Sequence, residues 1–233
     1  MRHKGVIKMF SLKAEDTNRK NQQKLISIAE QNTGCKFLDC GCGDGSFSLE
    51  FAKKVAAKEI WGVELSESAN LAIKKMNIKI FDLNNGLPFD SGSFDVILCN
   101  QVAEHIVNTD LLFKEIARVL KSGGKAYISV PNICSFHNRI FVSLGFQPTC
   151  IWPSTSRIFG NPFNKAKLYH SILAKHVTCF SPGAFREMVE FHGLKVVKYC
   201  GHGVYPFRGK ISAILSNIFP ELSVFQTVIV TKD

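Results

Sequence analysis

A membrane-spanning helix needs about 18–20 consecutive apolar residues, and the chain contains no apolar run of that length. Its first four residues, Met1-Arg2-His3-Lys4, also lack the continuous apolar stretch of a secretory signal. These absences argue against an integral membrane protein and against a secreted one. Because 45% of its 233 residues are apolar, the chain can bury one substantial core, and a single domain over residues 1–233 is expected.

Cysteine pairs spaced as Cys-x-x-Cys are absent, although the chain contains eight cysteines. Such pairs are typical of structural metal sites and redox motifs, so their absence argues against both. Several of the cysteines fall in predicted strands or in a glycine-rich loop, where a disulfide would be hard to form. We therefore expect reduced thiols and a cytoplasmic location.

Acidic residues are absent from residues 133–180, and the charge of the chain is distributed unevenly. The formal net charge is +10; residues 133–210 carry ten basic residues against two acidic ones, whereas residues 25–132 carry eleven against thirteen. A solvated basic surface is the simplest interpretation, and an anionic acceptor, an anionic membrane surface or RNA are the alternatives. Because residues 133–180 supply no carboxylate ligand, no metal is expected at an acceptor site there.

Three glycines at alternate positions are the most informative feature that is present. Gly41, Gly43 and Gly45 follow the apolar segment 36–40, and an apolar-periodic segment opens at Ser46. A strand, a glycine loop and a helix start form the nucleotide-cofactor cradle of a doubly wound α/β fold. A dinucleotide-binding fingerprint would place Gly or Ala at position 46, so a nicotinamide oxidoreductase is disfavoured.

Strands and helices are predicted to alternate on both sides of this loop. Asp16 or Thr17 can cap an N-terminal helix. Thr109 can cap a second helix, which stops at residues 122–124, and Ser181 can cap a third, which begins at Pro182. Two further helices are predicted at residues 46–56 and 66–76. Strands are predicted at residues 36–40, 59–63, 77–81, 94–99, 126–130, 194–199 and 224–231. The pattern predicts an α/β fold with a Rossmann-like, doubly wound, seven-stranded sheet, mostly parallel with an antiparallel last strand, helices on both faces and a cap insert.

A series of short motifs in this order resembles class I S-adenosylmethionine-dependent methyltransferases, most closely the branch that includes ubiquinone and menaquinone biosynthesis enzymes. The resemblance implies methyl transfer from S-adenosyl-L-methionine, with S-adenosyl-L-homocysteine as product, to a small-molecule or lipid-like acceptor by O-, C- or N-methylation. The motifs are Leu38–Gly45 as a loop, Trp61-Gly62-Val63-Glu64-Leu65-Ser66, Phe81-Asp82-Leu83, Leu87-Pro88-Phe89, Ser93-Phe94-Asp95-Val96-Ile97, Asn100-Gln101-Val102-Ala103-Glu104-His105-Ile106, Arg118-Val119-Leu120-Lys121-Ser122-Gly123-Gly124 and Phe180-Ser181-Pro182.

Acidic residues at the ends of predicted strands are expected to bind the cofactor. Glu64 closes the second strand, where a carboxylate can accept hydrogen bonds from both ribose hydroxyls. The resemblance implies that Asp82 contacts the adenine amino group near the Leu83 amide; an Asx turn is the alternative. Asp39 could orient the glycine loop or meet the amino group of the cofactor. The expected cofactor-binding set is Asp39, Gly41, Cys42, Gly43, Gly45, Glu64, Leu65, Asp82, Leu83, Asn100 and Gln101.

Asn100 and Gln101 end the fourth predicted strand, beside the expected methionine moiety of the cofactor, although they could equally cap the next helix. If the acceptor is a hydroxyl, a base with a pKa near neutrality would help. His105 and His176 are the catalytic candidates, chosen from five histidines that also include His137, His170 and His202. A lone histidine is more often structural, and no motif proves the role.

Two segments outside the core are expected to control access. Residues 1–34 are expected to form an N-terminal lid and helix, with 1–24 ordering over the bound cofactor. Residues 35–132 are the expected cofactor-binding core, 133–177 a substrate cap, and 178–233 a C-terminal helix and strands. The cap combines an apolar strip (Phe136, Ile140, Phe141, Leu144 and Phe146) with basic residues, which favours a partly apolar, anionic or membrane-associated acceptor.

Two other functions remain open. An RNA methyltransferase would suit the basic surface, but Asn100-Gln101-Val102-Ala103 does not resemble the Asn/Asp-Pro-Pro-Tyr/Phe motif of many nucleobase amino-methyltransferases. A non-catalytic S-adenosylmethionine-binding protein is the other alternative. The sequence does not decide the oligomeric state.

Overall fold

The computed structural model of the protein describes residues 14–66, 75–151, 153–154, 159–160 and 176–233. Most of the predicted helix over residues 66–76, the first part of the expected lid and much of the expected cap therefore lie outside the described residues. None of the helices within the described ranges is long and apolar enough to cross a bilayer.

Seven strands form one mixed sheet in the order β3-β2-β1-β4-β5-β7-β6. Neighbouring strands from β3 to β5 are parallel, and β7 is antiparallel to both β5 and β6. The predicted fold class is confirmed. The strands are β1 (Lys36–Cys40), β2 (Glu59–Glu64), β3 (Asn77–Ile80), β4 (Phe94–Asn100), β5 (Leu120–Pro131), β6 (Lys195–His202) and β7 (Phe225–Thr231).

Six α-helices lie within the described residues, two of which the sequence patterns did not predict. The helices are α1 (Ala14–Ile28), α2 (Ser46–Val55), α3 (Thr109–Val119), α4 (Phe136–Ser143), α5 (Pro182–Phe191) and α6 (Gly209–Ile218). Ser181 caps α5 as predicted, but the N-cap of α3 is Asn108, whose side chain accepts from the Leu111 amide. The unpredicted helices are α4 and α6, whose apolar patterns are short and interrupted.

The central strands bury both of their faces, and alternate residues belong to different core clusters. Leu38 of β1 and Ile97 of β4 pack on one side with residues of α3 and α5. Phe37 and Leu98 of the same strands pack on the other side with residues of α1 and α2. This alternation follows from the two-residue period of a strand, and it explains why these strands are almost entirely apolar.

Strand β5 is longer than the sequence predicted. It begins at Leu120, directly after α3, where Leu120 pairs with Phe94. The register then shifts, so that Val96 pairs with Lys125 and the glycine-containing stretch 121–124 is accommodated as an irregularity in the pairing. The stop signal at Gly123-Gly124 therefore marks a bulge within a strand.

Candidate active site

The glycine loop lies where the carboxyl ends of β1, β2 and β4 meet. The amides of Gly41 and Cys42 donate to the Val63 carbonyl at 2.8 and 3.1 Å, which joins the loop to the end of β2. Gly41 (φ +78°), Gly43 (φ +54°) and Gly45 have left-handed backbone conformations that favour glycine. A side chain at Gly41 would also overlap Val102, whereas one at Gly43 would have no neighbour within 4 Å. The loop thus leaves open space for a ligand to approach its backbone.

Glu64 holds this loop at its tip. Its Oε2 atom accepts from the Gly43 amide and its Oε1 from the Leu65 amide, both at 2.8 Å. A carboxylate has about four lone-pair positions, so each oxygen can still accept from a further donor such as a ribose hydroxyl.

Asp39 is buried behind the loop. Its Oδ2 accepts from the Ser48 hydroxyl at 2.6 Å, which links the end of β1 to helix α2. Burial raises the pKa of the Asp39 carboxyl to about 7, the Ser48 bond opposes that shift, and the charge of Glu64 adds to it. Of the two roles considered for Asp39, this geometry fits orientation of the loop and its helix.

Asp82 follows β3 and forms an Asx turn, the alternative role predicted for it. Its Oδ1 accepts from the backbone and side-chain amides of Asn84, both at 2.9 Å, so Asp82 caps the short 3-10 turn Leu83–Asn85. Both bonds use Oδ1, so a ligand amino group could still reach Oδ2. Leu83 is buried and Leu65 is exposed.

The end of β4 is covered by the N-terminal helix, which the sequence reasoning did not predict. Asn21 of α1 is buried, and its Nδ2 donates to Asn100 Oδ1 at 2.8 Å and to Ser129 Oγ at 3.3 Å. The Gln101 amide donates to the Ser129 carbonyl, and Gln101 has φ +57°, which is rare for a residue with a side chain. The available signal was that Asn21 lies four residues before Leu25, on the apolar face of α1.

The structure brings the two predicted catalytic histidines together, although 71 positions separate them. His105 ends the 3-10 turn Ala103–His105 that follows β4, and its ring centroid lies 5.0 Å from that of His176. Backbone bonds hold the two segments together, because the amides of Val177 and Thr178 donate to the Glu104 carbonyl at 2.8 and 3.1 Å.

The protonation of this histidine pair follows from its surroundings. His176 Nδ1 lies 2.6 Å from the Cys150 carbonyl, which can only accept, so Nδ1 must carry the proton and Nε2 is left as an acceptor. Burial lowers the pKa of His176 to about 4, with smaller contributions from the Cys150 bond, which raises it, and from His105, which lowers it. The His176 ring is therefore neutral at pH 7.

A buried acid completes the cluster. The Glu104 side chain is 1% exposed, and neither of its carboxyl oxygens has a hydrogen-bond partner among the described residues. Burial raises the pKa of this carboxyl to about 8, so it is largely protonated at pH 7. One ligand atom from each of Glu104, His105 and His176 lies within 4.8 Å of the others, a donor set of the kind that can hold a divalent cation. The expectation that no metal binds rested on the lack of acidic residues in 133–180, whereas Glu104 lies outside that range. The absence of a metal stays a prediction.

The other histidine candidates lie elsewhere. His137 is buried in α4, with Nδ1 3.3 Å from Ser135 Oγ and Nε2 2.9 Å from Thr149 Oγ1, which fits a structural role. Burial lowers the pKa of His202, at the end of β6, to about 4. His170 lies outside the described residues.

Comparison with known proteins gives a consistent result. A family model described as a methyltransferase domain matches residues 13–199. The chain is 27% identical over 226 residues to a demethylmenaquinone methyltransferase of Bacillus subtilis (strain 168), covering 91% of each chain. It is 33% identical over 122 residues to a ubiquinone biosynthesis O-methyltransferase of Coxiella burnetii, covering 48% of this chain and 51% of the relative.

Solved structures share the fold. A SAM-dependent methyltransferase of Thermotoga maritima superposes with a TM-score of 0.64 at 20% identity, covering 93% of this chain and 90% of the other. A methyltransferase in complex with the Haloferax volcanii Trm112 methyltransferase activator also gives a TM-score of 0.64, at 15% identity, with coverage of 93% and 91%.

Proposed function

Because the chain belongs to the methyltransferase-domain family and is a class I S-adenosylmethionine-dependent methyltransferase, we propose that it methylates a hydroxyl group of a quinol-type, lipid-like acceptor. The observation that carries this proposal is the histidine pair beside the end of β4, in which His176 is neutral and carries its proton on Nδ1. The names of the two relatives, which refer to menaquinone and ubiquinone, support an acceptor of the quinone type.

The proposed cofactor site extends along the carboxyl edge of the sheet. The backbone of Gly41–Gly45 would approach the cofactor where the space above Gly43 is open. Glu64 would accept from the ribose hydroxyls, Asp82 from the adenine amino group, and Asn100 with Gln101 would contact the methionine end. When bound, S-adenosylmethionine supplies an activated methyl group on its sulfonium, so the protein needs to orient the acceptor and exclude water.

The proposed acceptor site lies beside this edge, at the turn that follows β4. A hydroxyl placed beside the paired rings of His105 and His176 could donate its proton to an imidazole nitrogen as the oxygen takes the methyl group from the sulfonium, which is general-base catalysis. Protonated Glu104 lies next to both rings and adds no negative charge to the site at pH 7. The His176 ring is neutral before the reaction, and its pKa of about 4 makes it a weaker base than an imidazole with a pKa near neutrality.

The proposal is tested by offering the purified protein S-adenosylmethionine with a radiolabelled methyl group and three acceptors in parallel: a short-chain hydroquinone, a monophenol and total RNA. We expect label on the oxygen of the hydroquinone, located by mass spectrometry of the product. Label in RNA, or label on carbon or nitrogen of the small molecule, would contradict the proposed acceptor. Cofactor binding without turnover on any acceptor would favour a non-catalytic protein.

A further inference from the structure

Helix α6 packs onto the domain by its polar side. Ser216 is 4% exposed, and the Ser212 hydroxyl accepts from the Val204 amide at 2.8 Å. On the opposite side Ile211, Ile214 and Ile218 are 61%, 56% and 62% exposed. A surface helix of a globular protein normally buries its apolar side, so this helix has the reverse orientation.

The exposed isoleucines form one continuous stripe. Their spacing of three and then four residues places them on the same face of the helix. Phe207 before the helix and Phe219 after it are 41% and 51% exposed and extend the stripe at both ends. Contiguous exposed apolar surface of this kind marks an interaction site rather than ordinary solvent exposure.

The charged residues on the helix and at its first turn are basic, and the nearest acidic residue in the sequence is Glu221, two residues after Phe219. The sequence contains no Asp or Glu between residues 191 and 220. Arg208 and Lys210 lie at the first turn of α6, and Lys24 of α1 donates to Asn217 Oδ1 at 3.2 Å, so a third cation lies against the far end of the helix. An apolar stripe with basic residues on its borders is complementary to the surface of an anionic bilayer.

The topology places α6 next to the candidate active site. His202 at the end of β6 pairs with Phe225 at the start of β7, so the connection that contains α6 begins and ends at the carboxyl edge of the sheet. Phe207 contacts Phe136 of α4 with ring centroids 5.8 Å apart, and α4 follows β5 at the same edge. The exposed stripe therefore borders the edge at which the acceptor is expected to bind.

We propose that the docking face, defined as Phe207, Ile211, Ile214, Ile218 and Phe219 with Arg208, Lys210 and Lys24 on its borders, binds an anionic lipid bilayer. The isoleucines enter the boundary between headgroups and acyl chains, and the cations contact the phosphates. The lipid-like nature of the acceptor rests on the proposed function; the docking face itself rests on the exposed stripe and its charges. The sequence also predicts a membrane contact at the cap strip, in which Ile140, Leu144 and Phe146 are exposed and Phe141 is buried; that contact stays a prediction, and α6 was not anticipated.

Flotation of the full chain with vesicles tests this proposal. We expect the protein to float with equimolar phosphatidylglycerol and phosphatidylcholine at low salt, and to float much less with pure phosphatidylcholine. A variant with Ile211→Ser and Ile214→Ser should lose tenfold or more of its vesicle affinity, because two apolar side chains no longer enter the bilayer. The matched control is Phe191→Ser, since Phe191 is 82% exposed on α5, away from this face, and its replacement should leave flotation unchanged.

A second variant separates charge from apolar insertion. Arg208→Gln with Lys210→Gln should reduce binding to the anionic vesicles at low salt and reduce its salt dependence. Unchanged melting temperatures confirm that each variant is folded. Wild-type protein that does not float with anionic vesicles, or an isoleucine variant that floats like wild type, would overturn the proposal. A homodimer in sedimentation that dissociates in the isoleucine variant, without vesicle binding, would assign the face to a second copy of the chain and would also overturn it.

The same variants distinguish this proposal from the proposed function. The isoleucine variant should retain cofactor affinity and turnover on a water-soluble hydroquinone, because neither requires the bilayer. Flotation with no hydroquinone turnover would leave the docking face standing and contradict the acceptor. Hydroquinone turnover with no flotation would support the proposed acceptor and contradict the docking face.

Discussion

At the scale of single residues, the candidate site depends on carboxyl groups in three different environments. Glu64 is partly exposed and bonded to two amides, Asp39 is buried and bonded to one hydroxyl, and Glu104 is buried with no partner among the described residues. Because the cost of ionising a carboxyl rises with burial, the pKa of Asp39 is raised to about 7 and that of Glu104 to about 8.

Replacing Glu64 tests the ribose contact. Glu64→Ala should weaken S-adenosylmethionine binding by about 2–3 kcal/mol, because it removes two charge-assisted hydrogen bonds and loosens the loop at Gly43. Glu59→Ala, at the opposite end of β2, is the control and should bind normally. Calorimetry that finds equal affinity in both variants would remove Glu64 from the site.

Replacing His176 tests the proposed base. His176→Ala should lower kcat by about 10²–10⁴-fold while leaving the affinity for S-adenosylmethionine unchanged, because the ring is expected to act on the acceptor. His192→Ala is a suitable control, since His192 bonds to Asp110 on α3 and lies outside the cluster. A small effect on kcat with a large loss of thermal stability would indicate a structural histidine instead.

Glu104 should make stability depend on pH. Its folded pKa of about 8 lies above its ordinary value of 4.5, so the folded protein keeps a proton that the unfolded chain releases. The free energy of unfolding contributed by this group should fall as pH rises from about 4.5 to about 8, by up to about 4 kcal/mol. His176 acts oppositely below pH 6.5, its ordinary value, because its folded pKa is about 4.

The measurement is therefore most direct between pH 6.5 and pH 8, above the range in which His176 titrates. Denaturant unfolding of Glu104→Gln should show a weaker loss of stability with rising pH than wild type in this interval. Asp39, with a pKa of about 7, also lowers the free energy of unfolding as pH rises toward that value. Because Asp39 is present in both proteins, the difference between their pH profiles reports Glu104 alone. Parallel pH profiles would contradict the raised pKa.

At the scale of elements, helix α1 connects the N-terminal part of the chain to the site. Asn21 bonds to Asn100 and Ser129 at the ends of β4 and β5, and Leu25 one turn later is fully buried. The part of the expected lid that the structure describes is thus attached to the sheet by specific polar bonds. Whether residues 1–24 order on cofactor binding remains a prediction.

Removing the Asn21 side chain should weaken this attachment. Asn21→Ala removes one hydrogen-bond partner from each of Asn100 and Ser129 and should cost about 1–3 kcal/mol in the free energy of unfolding. Amide exchange in α1 should be faster in this variant, and S-adenosylmethionine should slow it less than in wild type. Gln23→Ala, at an exposed position of the same helix, is the control. Equal exchange in both variants, with and without cofactor, would refute a role of α1 in covering the site.

At the scale of the whole molecule, the candidate functional groups lie on one edge of the sheet. The glycine loop, the strand-end carboxylates and the histidine pair lie at the carboxyl ends of parallel strands, where ligands bind in open α/β sheets. The helices α1, α4 and α6 border the same edge. The excess positive charge falls in the segments outside residues 25–132, which include these bordering elements.

Metal removal tests whether the assembled cluster needs an ion. We expect dialysis against a chelator to leave turnover and melting temperature unchanged, because protonated Glu104 and neutral His176 already avoid a buried net charge at pH 7. Loss of turnover on chelation, with recovery on adding Mg²⁺, Mn²⁺ or Zn²⁺, would instead identify Glu104, His105 and His176 as ligands. A Glu104→Gln variant that no longer responds to the ion would confirm that outcome.

The sequence by itself determined the fold class and the placement of the glycine loop and the strand-end acids at one sheet edge; that these residues bind the cofactor stays a prediction. Strands, glycine positions and the strand-end acids Glu64 and Asp82 are encoded by neighbours within a few residues, and parallel connectivity then gathers them at one edge. These features depend on local spacing, which is why the motif order was sufficient to predict them.

Only the tertiary structure decided the contacts between segments distant in the chain. The pairing of His105 with His176 and of Asn21 with Asn100 depends on how loops cross the sheet edge, and no local pattern encodes such a distance. The orientation of α6 is similar: its sequence shows an apolar and a polar face, but the sheet against which it packs decides which one is buried. Here the serines face the domain, where the Ser212 hydroxyl accepts from the Val204 amide, and the isoleucines face outward.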